Sequence, residues 1–315
     1  MIVRKGEIKL FINRARNEGP AYASFKIFNI FFMLFIIAIT LFPYLNVLAK
    51  ALNDGQDSMR GGITLWPRKF TWENFRILLN DSSLWLALCV TLGRVIIGTI
   101  LGLLVEFMAA YALSRNLRGS KVFNIIFMIP MFIGGGIISQ YILYSKIGLL
   151  DNFWVYIWPG LFGFYNTIVI RSYIQTSISN SIIEAAHIDG ISEWGLFVKI
   201  IIPLSKPILA TIALWLMVGK WNDWSATLYY ITNPDLHTMQ YKLMQAIKET
   251  ERLTALIQEA IQNGENVDGI INSMKVTTDS MTSAQIIIVT LPIIMVYPFI
   301  QKYFTEGITL GAVKG

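Results

Sequence analysis

Three stretches of this chain, 27–49, 122–145 and 280–301, contain no charged residue. Each meets the roughly 20 residues that a helix needs to cross about 30 Å of hydrocarbon. Two further runs reach that length with help. The run 84–113 is long but interrupted by Arg94 and Glu106, and 152–170 is slightly short but ends at Arg171, which can snorkel to the interface. A sixth run, 207–227, is strongly apolar over 208–218 and carries Lys220 and Asp223 in its outer part. The expectation is an all-α polytopic membrane protein with six transmembrane helices in one membrane domain. Charged residues make up only 15% of the 315 residues, against about 25% in soluble domains, so a water-soluble enzyme is excluded first. Ala49-Lys50-Ala51 mimics a signal-cleavage site, yet the run before it far exceeds a signal core of about 7–15 residues, so the first run is read as an uncleaved span.

Six spans place both termini on one side. That side then carries fourteen Lys and Arg, six of them in the arm up to Lys26, while the other carries eleven, mostly in long loops whose charges count little; its short loop holds only Lys146. Both termini are therefore expected in the cytoplasm. The resulting organisation is a cytoplasmic arm 1–26, a membrane domain 27–304 with a cytoplasmic loop at about 177–206 and an exterior loop at about 228–279, and a cytoplasmic tail 305–315. In the exterior loop, Met239, Leu243, Met244, Ile247, Leu253, Leu256, Ile257 and Ile261 recur at helical spacing before Asn263-Gly264, which predicts an amphipathic helix over about 238–262.

Catalytic signatures are missing from the sequence. The single cysteine, Cys89, permits no internal disulfide and no CxxC motif. The two histidines, His187 and His237, lie outside the spans, and neither HExxH nor GxSxG occurs. A phosphate-cradling GxxxxGK[ST] loop is also lacking, so any ATPase must be another polypeptide. The net charge of +6 is scattered over loops between apolar runs, a topology signal rather than a nucleic-acid surface.

The most informative segment is 181–190, Ser-Ile-Ile-Glu-Ala-Ala-His-Ile-Asp-Gly. Ser181 and Glu184 read as a capping box, Gly190 as a left-handed stop, and Ser192 as the cap of a second helix running to Pro203. Such a pair must cover its apolar face. Ala186 and Gly190, four apart, permit close approach by a partner; packing beneath the membrane bundle is the alternative.

The order of residues resembles a known family. Glu184-Ala185-Ala186, three residues, Gly190, nine residues, then Ile200-Ile201-Ile202-Pro203 is similar to the EAA loop of ABC-importer membrane subunits, with Ile202 in place of the usual leucine. Ala109–Arg115, Ile188-Asp189-Gly190, Pro203–Pro207, Trp221-Asn222-Asp223-Trp224 and the ending Gly311–Gly315 resemble permeases of the carbohydrate (maltose-type) importers. Gly134–Gly136, Ile147–Trp154 and Tyr297–Phe304 are similar to the branch that handles complex oligosaccharides with lipoprotein binding proteins.

The resemblance implies a type I ABC-importer permease fold in a bacterial plasma membrane, in which Glu184, Ala185, Ala186, His187, Asp189 and Gly190 form a coupling helix docking on an ATPase. Gly311, Lys314 and Gly315 would reach between two ATPase subunits, a homodimer or heterodimer. Further implied partners are a second homologous permease, an extracytoplasmic sugar-binding protein and the lipid bilayer. This chain would bind no cofactor and do no chemistry, ATP and magnesium being held by the ATPase. Arg94, Trp221, Asn222, Asp223 and Trp224 are candidates to line the substrate path, although Arg94 could snorkel and the tryptophans could belong to a lipid-headgroup belt. Gly134–Gly136 read as close packing or local bending. The rival class is an ATP-independent channel or ion-coupled secondary transporter, which would act from this chain alone.

Overall fold

A computed structural model describes residues 20–59, 61–115, 117–263 and 278–312. The described residues form helices and turns, apart from one isolated bridge between Asn53 and Phe70. They divide into two compact units, 1–74 with 268–284, and 75–267 with 285–315.

In the first unit, helix α1 (Pro20–Ala51) carries apolar side chains on every face, and its apolar window from Ser24 has no buried residue. A helix apolar all round is suited to lipid. Past its end the chain is pinned by amides. Asn46 donates to the carbonyls of Ile63 and Thr64, and Asn74 to those of Ala51 and Asn53. Asn53 donates to Asp57 and Ser58 around the short helix α2 (Gly55–Met59), while Arg68 bridges Asp57 at 3.0 Å.

The second unit begins within α3 (Glu73–Asn80) and is built on α4 (Ser82–Ser114), which Asp81 caps by accepting from the Ser83 N–H. Gly93, Gly98 and Gly102 of α4 each face a neighbouring segment. A Cβ at those positions would stand 3.4 Å from Phe153, 2.9 Å from Lys220 and 3.6 Å from Leu216. Small residues let neighbouring segments approach this closely, as in many membrane interfaces. The remaining helices are α5 (Ser120–Phe132), α6 (Gly136–Lys146), α7 (Phe164–Ser177), α8 (Asn180–Ile188), α9 (Glu193–Leu196), α10 (Ile202–Leu204), α11 (Lys206–Asn222), α12 (Ser225–Tyr230), α13 (Met239–Gln262) and α14 (Thr278–Ala312). The core joins Phe107 and Ala110 of α4, Ile170 and Ile174 of α7, Ala186 of α8, Leu196 of α9 and Ile212 of α11.

Among the described residues three helices are continuous and long enough to cross a membrane, at Ser24–Ala51, Ser82–Ser114 and Asp279–Val296; three bent pairs bring the number to at most six. The run 122–145 is not continuous but bends at its glycines, one of the two roles read for them. α5 and α6 meet at 111°, and the break falls at Gly134 and Gly135 before Gly136, whose φ of +73° suits glycine. The fourth run opens with 3-10 turns at Phe153–Tyr156 and Trp158–Gly160, and its helix α7 continues to Ser177, so Arg171 lies inside a helix rather than at its end. The sixth run, 207–227, breaks at Asp223. α13 matches the amphipathic helix expected over 238–262.

Asp151 joins two loops of the second unit. Despite a φ of +58° it accepts the backbone N–H groups of Thr232 and Asn233 and the Thr232 hydroxyl, at 2.7–2.8 Å. The Asn233 N–H, with the Thr232 hydroxyl and N–H, holds its carboxyl below the ordinary carboxylate value. The stability it brings is complete above about pH 3.9 and fades as pH falls through the lower folded value. The protection of the Thr232 and Asn233 amides from hydrogen exchange, relative to their intrinsic rates, is expected to persist from neutral pH down and to be lost only in strong acid. Loss of that protection already at pH 5–6 would contradict this clamp.

Candidate functional site

Two places in the second unit gather functional side chains. One is the loop helix pair. α8 is capped by Ser179, whose hydroxyl accepts the Ser181 N–H, so the expected capping role of Ser181 passes to the serine two residues earlier. Gly190 takes a φ of +76° and ends the helix, with Ile191 N–H donating to the Ala186 carbonyl. Ser192 accepts the Gly195 N–H and starts the second helix, as its sequence position indicates. That helix runs through a π-helical turn at Phe197–Ile201.

Glu184, Ala185, His187, Asp189 and Gly190 are exposed on this element. Ala186 is not: it is only 4% exposed and packs into the chain's own core, so its small size serves internal packing rather than approach by a partner. Beside the acids stand two further exposed apolar residues, Ile188, which the sequence places in a family motif without a docking role, at 86% exposure, and Trp194 at 67%. An isoleucine between His187 and Asp189 was the available signal. Glu193 ties the pair to the end of α4. It accepts from the Tyr111 hydroxyl at 2.8 Å and from Arg115 at 3.1 Å, and Arg115 also meets His187 Nε2 at 3.1 Å. The Tyr111 hydrogen bond, with Arg115 beside it, holds the Glu193 carboxyl below its usual range.

The other place is a cavity of about 550 Å³ bounded by α4, α6, α11, α12 and the 3-10 turns. Arg94 and Asp223 both line it. Arg94 does not snorkel; it is 3% exposed, pairs with the Asp223 carboxylate, donates to the Asp223 carbonyl at 2.6 Å and lies over the Tyr156 ring at 4.8 Å. Asp223 in turn accepts the Ser225 and Ala226 N–H groups and so starts α12. Trp221 turns away, buried and donating its indole N–H to the Val289 carbonyl. Asn222 is exposed and accepts from Gln240, and Trp224 is half-buried before α12; neither lines this cavity.

Aromatic walls come instead from Tyr144, Tyr156, Trp215, Tyr229 and Tyr230, and a second cation, Lys220, enters from α11. None of these was singled out as a site from sequence, although tyrosines clustered at the ends of apolar runs are a visible pattern. Glu106 accepts from the Gly163 N–H at 2.9 Å and from the Asn166 amide at 3.1 Å, so it faces a neighbouring segment as its distance along the helix from Arg94 requires. The tail residue Gly311 falls in α14 with its surroundings undescribed, and Lys314 and Gly315 lie outside the described residues.

Several known proteins resemble this chain. Protein LplC of Bacillus subtilis (strain 168) is 32% identical over 92% of this chain and 95% of its own length. The polygalacturonan/rhamnogalacturonan transport system permease protein YtcP of the same organism is 30% identical over 90% of this chain and 96% of its own. Among solved structures, a bacterial ABC transporter involved in the import of the acidic polysaccharide alginate superposes with a TM-score of 0.78 at 26% identity, covering 91% of this chain and 98% of that one. The model of the binding-protein-dependent transport system inner membrane component matches residues 95–310, which takes in the loop helix pair and all of the cavity lining except Arg94, and the chain belongs to that family.

Proposed function

We propose that this chain is the permease subunit of an ATP-driven importer for an oligosaccharide, paired in a bacterial plasma membrane with a second homologous permease. α8 is its cytoplasmic coupling helix, seated in a cleft of a separate ATPase, and both termini lie in the cytoplasm. An extracytoplasmic binding protein delivers the cargo. The observation that carries this reading is the construction of the loop pair: Glu184 and Ile188 on α8, Asp189 at its end and Trp194 on α9 are exposed, while Ala186 on the inner side of α8 shares a core with α4, α7 and α11. A partner that pulls on such a helix moves the spans with it, since packed interiors are hard to compress.

The chain itself catalyses nothing in this scheme. ATP and magnesium act on the ATPase, closing its two subunits and turning the spans outward, and hydrolysis resets the inward state. Arg94 and Asp223 belong to the substrate path through the cavity they line. The sugar reading is supported by the named cargo of the relatives and by tyrosines on a concave wall, where aromatic faces and hydrogen-bonding tips suit carbohydrates.

The test is mass spectrometry of what co-purifies with the chain from gently solubilised native membranes. The expected set is an ATPase in two copies and one second permease. Recovery of the chain alone, or as a homo-oligomer without ATPase, would overturn the importer reading in favour of a channel or secondary transporter.

A further inference from the structure

The cavity wall carries two cations, Arg94 and Lys220, and one carboxylate, Asp223. Of its two cations, Arg94 is paired through its Nη atoms with Asp223, yet its Nε is buried without a hydrogen-bond partner. Lys220 is only 9% exposed, and its sole hydrogen bond among the described residues is a long one of 3.4 Å to the Gly160 carbonyl. It forms none of the ion pairs found among those residues; the Glu106 carboxylate acts on it only through space, its oxygens being held by the Gly163 N–H and the Asn166 amide. A buried, unpaired ammonium is costly unless something of opposite charge joins it.

The backbone around Lys220 is shaped for that side chain. A Cβ on Gly98 would stand 2.9 Å from its Cδ and Cε, and one on Gly160 3.1 Å from its Nζ. Two glycines thus form a slot that steers the ammonium to the cavity wall. Opposite lie tyrosine rings and the Gln140 amide, in a space large enough for a short run of sugar rings and far larger than a bare anion needs.

We propose that this cavity is a binding site for a carboxylate-bearing sugar, a uronic acid within an oligosaccharide, with Lys220 Nζ as the group that recognises the carboxylate and the tyrosines as the platform for the ring faces. The assignment rests on the importer reading for its physiological meaning, but not for its chemistry. It makes Lys220 a specificity residue, and it makes the glycines at 98 and 160 the positions that keep Lys220 in place.

The experiment is equilibrium binding of labelled tri-galacturonate and of its neutral methyl ester to the detergent-solubilised complex, purified without the binding protein. The acid is expected to bind roughly 10-fold or more tightly than the ester, as for loss of one charge-assisted contact. That preference should collapse in Lys220→Met and persist in Lys220→Arg. Equal affinities, binding of neither sugar, or a preference undiminished in Lys220→Met would overturn the proposal, as would inorganic phosphate binding to the cavity in place of either sugar. The comparison of acid with ester on the unaltered chain needs no variant, so a substitution that fails to fold leaves the proposal still tested. Recovery of the ATPase is scored in the same preparation. Its absence counts against the importer reading alone, and a missing acid preference counts against the uronate site alone.

Discussion

Glu184→Lys is expected to abolish transport and recruitment of the ATPase while leaving the chain inserted in the membrane at normal abundance. Glu184 is exposed on α8 and takes part in no ion pair among the described residues, so the chain's own fold does not depend on its charge. At a partly desolvated interface the loss of one partner of a charge pair costs about 2–5 kcal/mol, and a reversed charge adds repulsion to that. Even the lower figure is roughly a 30-fold loss in affinity. Uptake by intact cells, capture of the ATPase from solubilised membranes and immunoblotting of the membrane fraction separate the three effects. Normal uptake by the variant would sink the docking role of this helix.

The second large effect concerns the buried pair. Asp223→Asn keeps an acceptor for the Ser225 and Ala226 N–H groups at the start of α12, but removes the only carboxylate paired with Arg94 among the described residues. A guanidinium left without its counter-charge at 3% exposure destabilises by about 3–5 kcal/mol. The single variant is expected to melt well below the parent in detergent, or to accumulate poorly. Adding Arg94→Met, which removes the stranded charge, should recover most of the loss. If the single variant melts with the parent, the pair contributes nothing to the fold.

How far the sequence discloses this molecule depends on what sets each feature. Span lengths are legible because hydrocarbon thickness sets them, and the loop pair is legible because Gly190 and Ser192 are local signals that act on their own backbone. The 111° turn between α5 and α6 is only half legible: three consecutive glycines permit a bend, but packing decides its size. The cavity is the least legible part. Lys220 sits near a helix end, where an exposed ammonium is the ordinary outcome, and only the fold brings Gly98 and Gly160 around it. Trp221, its neighbour, offers an aromatic ring beside polar residues in the sequence, yet the helix turns it inward to Val289. Sequence order places residues near one another; the rotation of the helix decides which of them share a face.

The burial of Ala186 has one more consequence. The joint it makes with Phe107, Ile170 and Ile212 has no preferred direction of travel, so a shift of the spans must disturb α8 as surely as a pull on α8 disturbs the spans. Linkage of this kind is reciprocal: whatever free energy the loop's partner imposes on the far side, occupancy there returns in equal measure. On the proposed docking, the loop helix would be a sensor as well as a handle, reporting to the ATPase whether there is anything to carry.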